Sequence, residues 1–220
     1  MDSSDYLELA DWRRQVAELY AHWRSTATSD AKRATREFRV ARDLLFRQHT
    51  QSPLPASERG AFPGVPYWDY DPAWRVAARV EPAEVEAASP FGGQSLALPS
   101  SGEEAFNFKR IGRVTLGGPF GGASLAVFWM EGYAGGLFLP FRDATSGSET
   151  YGAGRYLLDT VKGADLGGDP GRSELVLDFN MAYHPSCVYD ARWNCPLAPL
   201  ANRLPVAVRA GERLGQVAGG

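Results

Sequence analysis

The sequence predicts a mainly β (α+β) protein: an antiparallel, barrel-like or sandwich β domain with two N-terminal helices packed on it. Three observations carry this expectation. The hydrophobic period is helical up to about residue 46 and switches to two from Trp74 onward. The 220 residues include 24 glycines and 15 prolines, a turn load that favours many short strands. The links at residues 117–122 and 131–136 are short and glycine-bearing, whereas parallel pairing needs a crossover of a dozen residues or more. The expected organisation is a helical pair over residues 1–50, a connector over 51–73 and a β domain over 74–220, all in one unit.

The first helix is expected over residues 4–25, where Leu9, Trp12, Val16, Leu19 and Trp23 form one apolar stripe. Ser4 or Asp5 suits its N-cap, and Asp5, Glu8 and Asp11 suit the positive end of its dipole. The second opens at Ser29 or Asp30 and runs to about Phe46, with Ala34, Phe38, Ala41 and Leu45 inward. Lys32, Arg33, Arg36, Arg39 and Arg42 then make a basic outer face, open to two readings: a solvated surface or a docking face for an acidic partner. Pro53 and Pro55 close the helical region. The aromatics of the connector, from Phe62 to Trp68, are expected to cover the end of the sheet.

Trp74, Val76, Ala78 and Val80 alternate with polar or small residues, the mark of a half-buried strand. Further strands are expected at residues 95–98, 105–116, 123–130, 137–141, 154–158, 173–180, 204–209 and 213–217. Alternation breaks near Gly112, which predicts a bulge.

Composition excludes several classes. A net charge of -3 and a pI near 5.7 give no broad attraction to nucleic acid or anionic lipid. The acidic, polar start Met1–Asp5 is unlike a signal peptide, and no apolar run reaches the length of a membrane span, so a cytoplasmic location is expected. Lysine occurs only at 32, 109 and 162, every other cation being arginine, a bias expected of a GC-rich bacterial genome. The chain has no Walker loop, dinucleotide fingerprint, nucleophile elbow, His-Glu-x-x-His, EF-hand loop or Cys-x-x-Cys.

Chemistry concentrates where the run ending in Leu177-Asp178-Phe179-Asn180 opens into a Pro-punctuated loop. Alternation puts Asp178 and Asn180 on one side of that strand, with Tyr183 and His184 just beyond it. A carboxylate beside a histidine fixes the ring tautomer and raises its basicity. The catalytic candidates are therefore Asp178 as orienting group or base, and His184 and Tyr183 for proton transfer. A second cluster, residues 140–156, brings hydroxyls and two arginines between two strands. Arg155 offers a planar fork to an anionic or carboxylate-bearing ligand, with Tyr151, Asn180, Arg142 and Thr150 as further binding candidates. The alternative for Arg155 is a structural bridge to Asp143, Glu149 or Asp178. His184, Cys187 and Cys195 admit several readings: a zinc site, a Cys187 nucleophile with His184 as base, a disulfide, or two buried thiols. No cofactor is expected, zinc being the one alternative.

Several motifs resemble those of the domain-of-unknown-function 1684 family of bacteria and archaea. They are Phe108-Lys109-Arg110-Ile111-Gly112, the run from Leu137 to Gly147, Glu149-Thr150-Tyr151, Gly154-Arg155-Tyr156-Leu157, Leu177 to Tyr183, Cys187-Val188-Tyr189, Cys195-Pro196-Leu197, Asn202-Arg203-Leu204-Pro205 and Ala210-Gly211-Glu212. Ser52-Pro53-Leu54 and Phe62-Pro63-Gly64 look like its N-terminal signature, so the resemblance spans about residues 38–214. It implies no particular activity. Two departures stand out: the family pattern has Asn where this chain has His184, and Glu where it has Ala201.

The functional expectation is a small-molecule enzyme using general acid–base chemistry in a pocket of the β domain. The alternative is a non-catalytic small-molecule binding or interaction module whose polar network braces the loops. Either way the expected partner is a small molecule, neither nucleic acid nor membrane.

Overall fold

Residues 2–82, 95–103, 106–133 and 135–215 are described in the structure, a computed structural model. Helix α1 covers Ser3–Thr26, α2 Ala31–Gln48 and the short α3 Ala56–Arg59. The α1 cap differs from expectation. Asp2, not Ser4 or Asp5, is the N-cap: its Oδ1 accepts from Ser4 N–H at 2.8 Å and Asp5 N–H at 3.1 Å, while Asp5 Oδ2 accepts from Asp2 N–H at 2.8 Å. Asp5 thus completes a reciprocal capping box. Asp30 caps α2 through Arg33 N–H, as expected.

The strands are β1 Arg75–Pro82, β2 Ser95–Leu98, β3 Phe106–Thr115, β4 Ser124–Met130, β5 Gly136–Phe141, β6 Arg155–Asp159, β7 Gly168–Asp169 and β8 Glu174–Asp178. All pairings are antiparallel, in the order β6-β5-β4-β3-β1-β8-β7, with β2 also on β3. The sheet curls into a half-barrel, so the fold is the mainly β, helix-capped one expected. β3 serves both β1 and β2 along one edge, because it bends at a register shift between Arg110 and Gly112. Glycine is required there: a Cβ on residue 112 would lie 2.4 Å from the Glu81 carbonyl oxygen.

Helices and sheet share one core. Tyr20, Trp23, Ala34 and Phe38 pack with Val114, Leu125, Val127, Leu139, Leu157, Leu177 and Phe179. The Trp23 indole N–H donates to Thr35 Oγ1 at 3.1 Å, which ties α1 to α2 inside that core. Connector aromatics divide: Phe62 and Tyr67 lie against Phe46, Leu54 and Val65 on the α2 side, while Trp68 lies against Arg155 at the start of β6.

The expected strand at 204–209 is not a strand: the backbone bends at residues 205 and 206. Its groups are taken by loops instead: Leu204 N–H donates to the Arg142 carbonyl at 2.8 Å, and Ala144 N–H to the Val206 carbonyl at 3.0 Å. Residues 213–215 are likewise not strand, and the remainder of the expected 213–217 strand lies outside the described residues. Asn202 pins this segment to the sheet. Its Oδ1 accepts from Ala126 N–H at 2.8 Å, and its Nδ2 donates to the Ala126 and Pro140 carbonyls at 2.9 and 2.7 Å. It replaces ladder bonds where β4 and β5 separate beyond their paired residues Phe128 and Phe138.

Candidate functional site

The sequence-predicted site residues divide into two groups. Asp178 ends β8 and caps the 3-10 turn Phe179–Met181: its Oδ1 accepts from Asn180 N–H at 3.0 Å and Asn180 Nδ2 at 2.9 Å. Arg75 Nε stands 3.5 Å from Oδ2. Asn180 braces the connector, donating from Nδ2 to the Asp71 carbonyl at 2.8 Å and accepting from Asp71 N–H at 3.0 Å. Burial raises the Asp178 carboxyl above its usual range, against the lowering effect of Asn180 and the arginines. Among the described residues, no hydrogen bond or ion pair joins Asp178 to His184. The alternation argument failed here because the strand stops at Asp178 and the next three residues turn.

The other group gathers on the segment 208–212. Arg155, 1% exposed, spends both Nη groups: Nη2 donates to Asp143 Oδ2 at 2.6 Å and the Val208 carbonyl at 2.8 Å, and Nη1 to the Ala210 and Glu212 carbonyls at 2.5 and 3.0 Å. Of the alternatives for Arg155, the structural bridge to Asp143 is the one present. Asp143 is held in turn by Thr145 N–H, and Thr145 Oγ1 meets Thr150 Oγ1 at 2.9 Å, so the Thr150 hydroxyl is buried in loop bracing. Arg142 pairs through its backbone with Asn202 and Leu204, away from His184.

Glu212 is the residue the sequence reading missed. It is fully buried and accepts from Arg42 Nη2 at 2.7 Å on Oε1, and from His184 N–H at 2.7 Å and the Tyr189 hydroxyl at 3.0 Å on Oε2. Arg42, expected on the solvated face of α2, is 8% exposed and turns inward to this carboxylate. Burial works to lower its pKa, but Glu212 and the surrounding tyrosines outweigh that and hold the guanidinium firmly charged. Gly211 lets the chain enter: at φ +76°, a Cβ would sit 2.5 Å from the Ala182 carbonyl oxygen.

The His184 ring is held at Nε2. Tyr151 N–H donates to Nε2 at 3.3 Å, which places the ring proton on Nδ1, facing Glu212 Oε2 at 3.5 Å. Burial dominates Glu212's attraction and lowers the histidine to about 4, so the ring is neutral near pH 7. Tyr183 stacks edge-on with Tyr156, its ring 5.2 Å from the Arg42 guanidinium, and burial raises its hydroxyl well above the ordinary value. These groups border a cavity of about 60 Å³. That space suits water-sized molecules, not a metabolite.

A larger groove of about 440 Å³ lies between α2 and the connector, lined by Lys32, Arg36, Arg39, Asp43, Tyr67, Asp69 and Tyr70 among others. Arg39 donates to the Trp68 carbonyl at 2.9 Å and the Asn180 carbonyl at 3.1 Å, with its guanidinium 4.3 Å from the centre of the Tyr67 ring. Its Nε and the Tyr67 hydroxyl are buried without a hydrogen-bond partner. Lys32 and Arg36 are exposed, and neither forms an ion pair among the described residues. Arg33 is neutralised by Glu37 at 2.8 Å.

Cys187 and Cys195 are free thiols, the first half-buried and the second buried. Among the described residues no group of three His, Cys, Asp or Glu is placed to hold a metal ion, so the His184–Cys187–Cys195 zinc geometry does not form.

The family model described as protein of unknown function (DUF1684) matches residues 60–213. The chain belongs to this family. Its DUF1684 region contains Arg155, His184 and Glu212, whereas the α2 side of the groove lies before the matched residues. The solution NMR structure of an uncharacterised protein from Haloarcula marismortui is similar to this DUF1684 chain at 34% identity, with a TM-score of 0.56. The likeness covers 85% of this chain and 96% of that one. No curated protein matches significantly. In this DUF1684 protein no helix among the described residues is long and apolar enough to cross a membrane.

Proposed function

We propose that this DUF1684 protein is a non-catalytic small-molecule binding module whose ligand is a small carboxylate-bearing anion held in the groove between α2 and residues 67–70. One observation carries the reading: Lys32 and Arg36, which form no ion pair among the described residues, line a groove together with Arg39, whose guanidinium lies over the Tyr67 ring. Its volume of about 440 Å³ falls in the range of small-molecule sites. The exposed Arg36 guanidinium suits a carboxylate, and the tyrosine rings suit the apolar body of the ligand. The buried His184 and Arg155, whose Nη groups are spent on Asp143 and three backbone carbonyls, support bracing over turnover.

The test is a thermal-shift and calorimetric screen of mono- and dicarboxylates. A ligand at one hundred times its Kd stabilises by about 2.7 kcal/mol, a rise of roughly 5–11 °C for a domain of this size. Arg36→Glu is expected to weaken that ligand by about tenfold or more. Binding untouched by Arg36→Glu would remove the groove from the proposal. Turnover abolished by His184→Asn in a folded protein would restore the acid–base enzyme.

A further inference from the structure

The groove between α2 and the connector carries charges of both signs that do not neutralise one another. Lys32, Arg36, Arg39 and Asp43 line it from α2, at helical spacings of four, three and four residues that keep them on one stripe. The connector passes them in the opposite direction: Val65 N–H donates to Asp43 Oδ1 at 3.0 Å, and the Trp68 carbonyl accepts from Arg39 at 2.9 Å. Asp43 therefore marks one end of the groove, and Arg36 and Lys32 mark the other. Seven residues of helix separate Arg36 from Asp43, about 10 Å along the axis. At that interval neither can neutralise the other, and neither forms an ion pair among the described residues.

Asp43 is the fixed pole. It is half-buried, and beyond the bond from Val65 its Oδ2 accepts no hydrogen bond among the described residues. Gly64 closes against it: a Cβ there, at φ +117°, would lie 2.6 Å from Oδ2. Burial raises the Asp43 carboxyl above its usual range, against the lowering effect of the Val65 N–H, Arg47 and Arg42. A cation brought to this carboxylate offsets the cost of burying it. Asp69, also on the groove, is exposed and lies past Trp68, toward the cationic end.

We propose, on the footing that this groove is the carboxylate site, that its ligand is a linear ω-amino acid whose ammonium is held by Asp43 and whose carboxylate is held by Arg36. Hydrogen bonds of about 2.8 Å at each pole leave roughly 5 Å between the ligand's own charges, the reach of three or four methylenes. An α-amino acid carries both charges on one carbon and cannot span the interval. Between the poles stand Tyr67 and Val40, while the Nη groups of Arg39 are spent on the Trp68 and Asn180 carbonyls. That middle suits a methylene chain better than a peptide bond.

The experiment titrates the full chain calorimetrically at pH 7 with valerate, 5-aminovalerate and the isomeric 2-aminovalerate. The expected order is 5-aminovalerate about tenfold or more tighter than valerate, with 2-aminovalerate no tighter than valerate. Asp43→Asn keeps an acceptor for Val65 N–H and should erase that gain, leaving valerate within about twofold of wild type. Asp69→Asn should leave the gain in place. Valerate bound without any advantage for 5-aminovalerate, an equal advantage for 2-aminovalerate, or an advantage that survives Asp43→Asn would each overturn the zwitterion and spare the carboxylate site. Absence of binding by all three acids would overturn both. Should Asp43→Asn fail to fold, the wild-type ranking of the two amino isomers still decides.

Discussion

Substituting Asn for His184 should flatten the pH dependence of stability between pH 6.5 and 4. In the folded protein burial lowers this imidazole from the ordinary 6.5 to about 4. Above pH 6.5 the ring is neutral folded or unfolded, and the full stability is present. As pH falls, the unfolded chain takes up its proton first, while the folded ring resists because protonation would add a buried charge between Tyr151 N–H and the Glu212 side. The unfolded state then binds more protons, so stability drops progressively until pH reaches about 4. The gap of about 2.5 units corresponds to about 3 kcal/mol. At roughly 2–4 °C per kcal/mol this is about 6–12 °C in Tm. Urea unfolding of wild type and His184→Asn at pH 7, 5.5 and 4 separates this term from the carboxylates, which titrate in both chains. Asn is neutral throughout, so the wild type should lose about 3 kcal/mol more than the variant over this range. Profiles that run parallel within about 1 kcal/mol would refute the claim that the buried ring is neutral.

Two further outcomes follow from the same network. Glu212→Ala leaves the Arg42 guanidinium buried without its carboxylate and should cost about 3–5 kcal/mol in urea unfolding. The double variant Arg42→Met/Glu212→Leu should recover most of that loss, whereas a Glu212→Ala loss below about 1 kcal/mol would mean the pair is not desolvated. Gly211→Ala forces a side chain into the left-handed region and against two carbonyl oxygens, at 2.5 and 2.7 Å. It should destabilise by about 3 kcal/mol or more, and a circular-dichroism melt matching wild type would contradict the backbone path drawn through Glu212.

The architecture was largely legible because both helices and most strands advertise themselves through the spacing of their own apolar residues. The bulge at Gly112 was visible for the same reason: it interrupts a local period. What stayed hidden is non-local. Arg42 looks like one more cation on a basic helix face, and only a carboxylate 170 residues away draws it inward. Leu204, Val206 and Val208 alternate as a strand does, yet the Val208 carbonyl, with those of Ala210 and Glu212, meets the Arg155 fork instead of a neighbouring strand. Asp178 and Asn180 carry the right chemistry for a site, but the turn after Asp178 spends it on the connector. The motif Ala210-Gly211-Glu212 marked its own importance, although nothing in its immediate neighbours reveals what Glu212 holds.

The order in which the polypeptide emerges during synthesis gives the 208–212 segment a temporal role. The three helices and eight strands among the described residues all precede residue 179, whereas Arg42 and Arg155 take acceptors that arrive 170 and up to 57 residues after them. Until those acceptors are made, Arg42 lacks its carboxylate and Arg155 has Asp143 but none of its three carbonyls, so closing the half-barrel over them is unfavourable. A nascent chain arrested before residue 208 should therefore stay open to proteases and chaperones, and the last turn of backbone acts as the latch that ends that vulnerable interval.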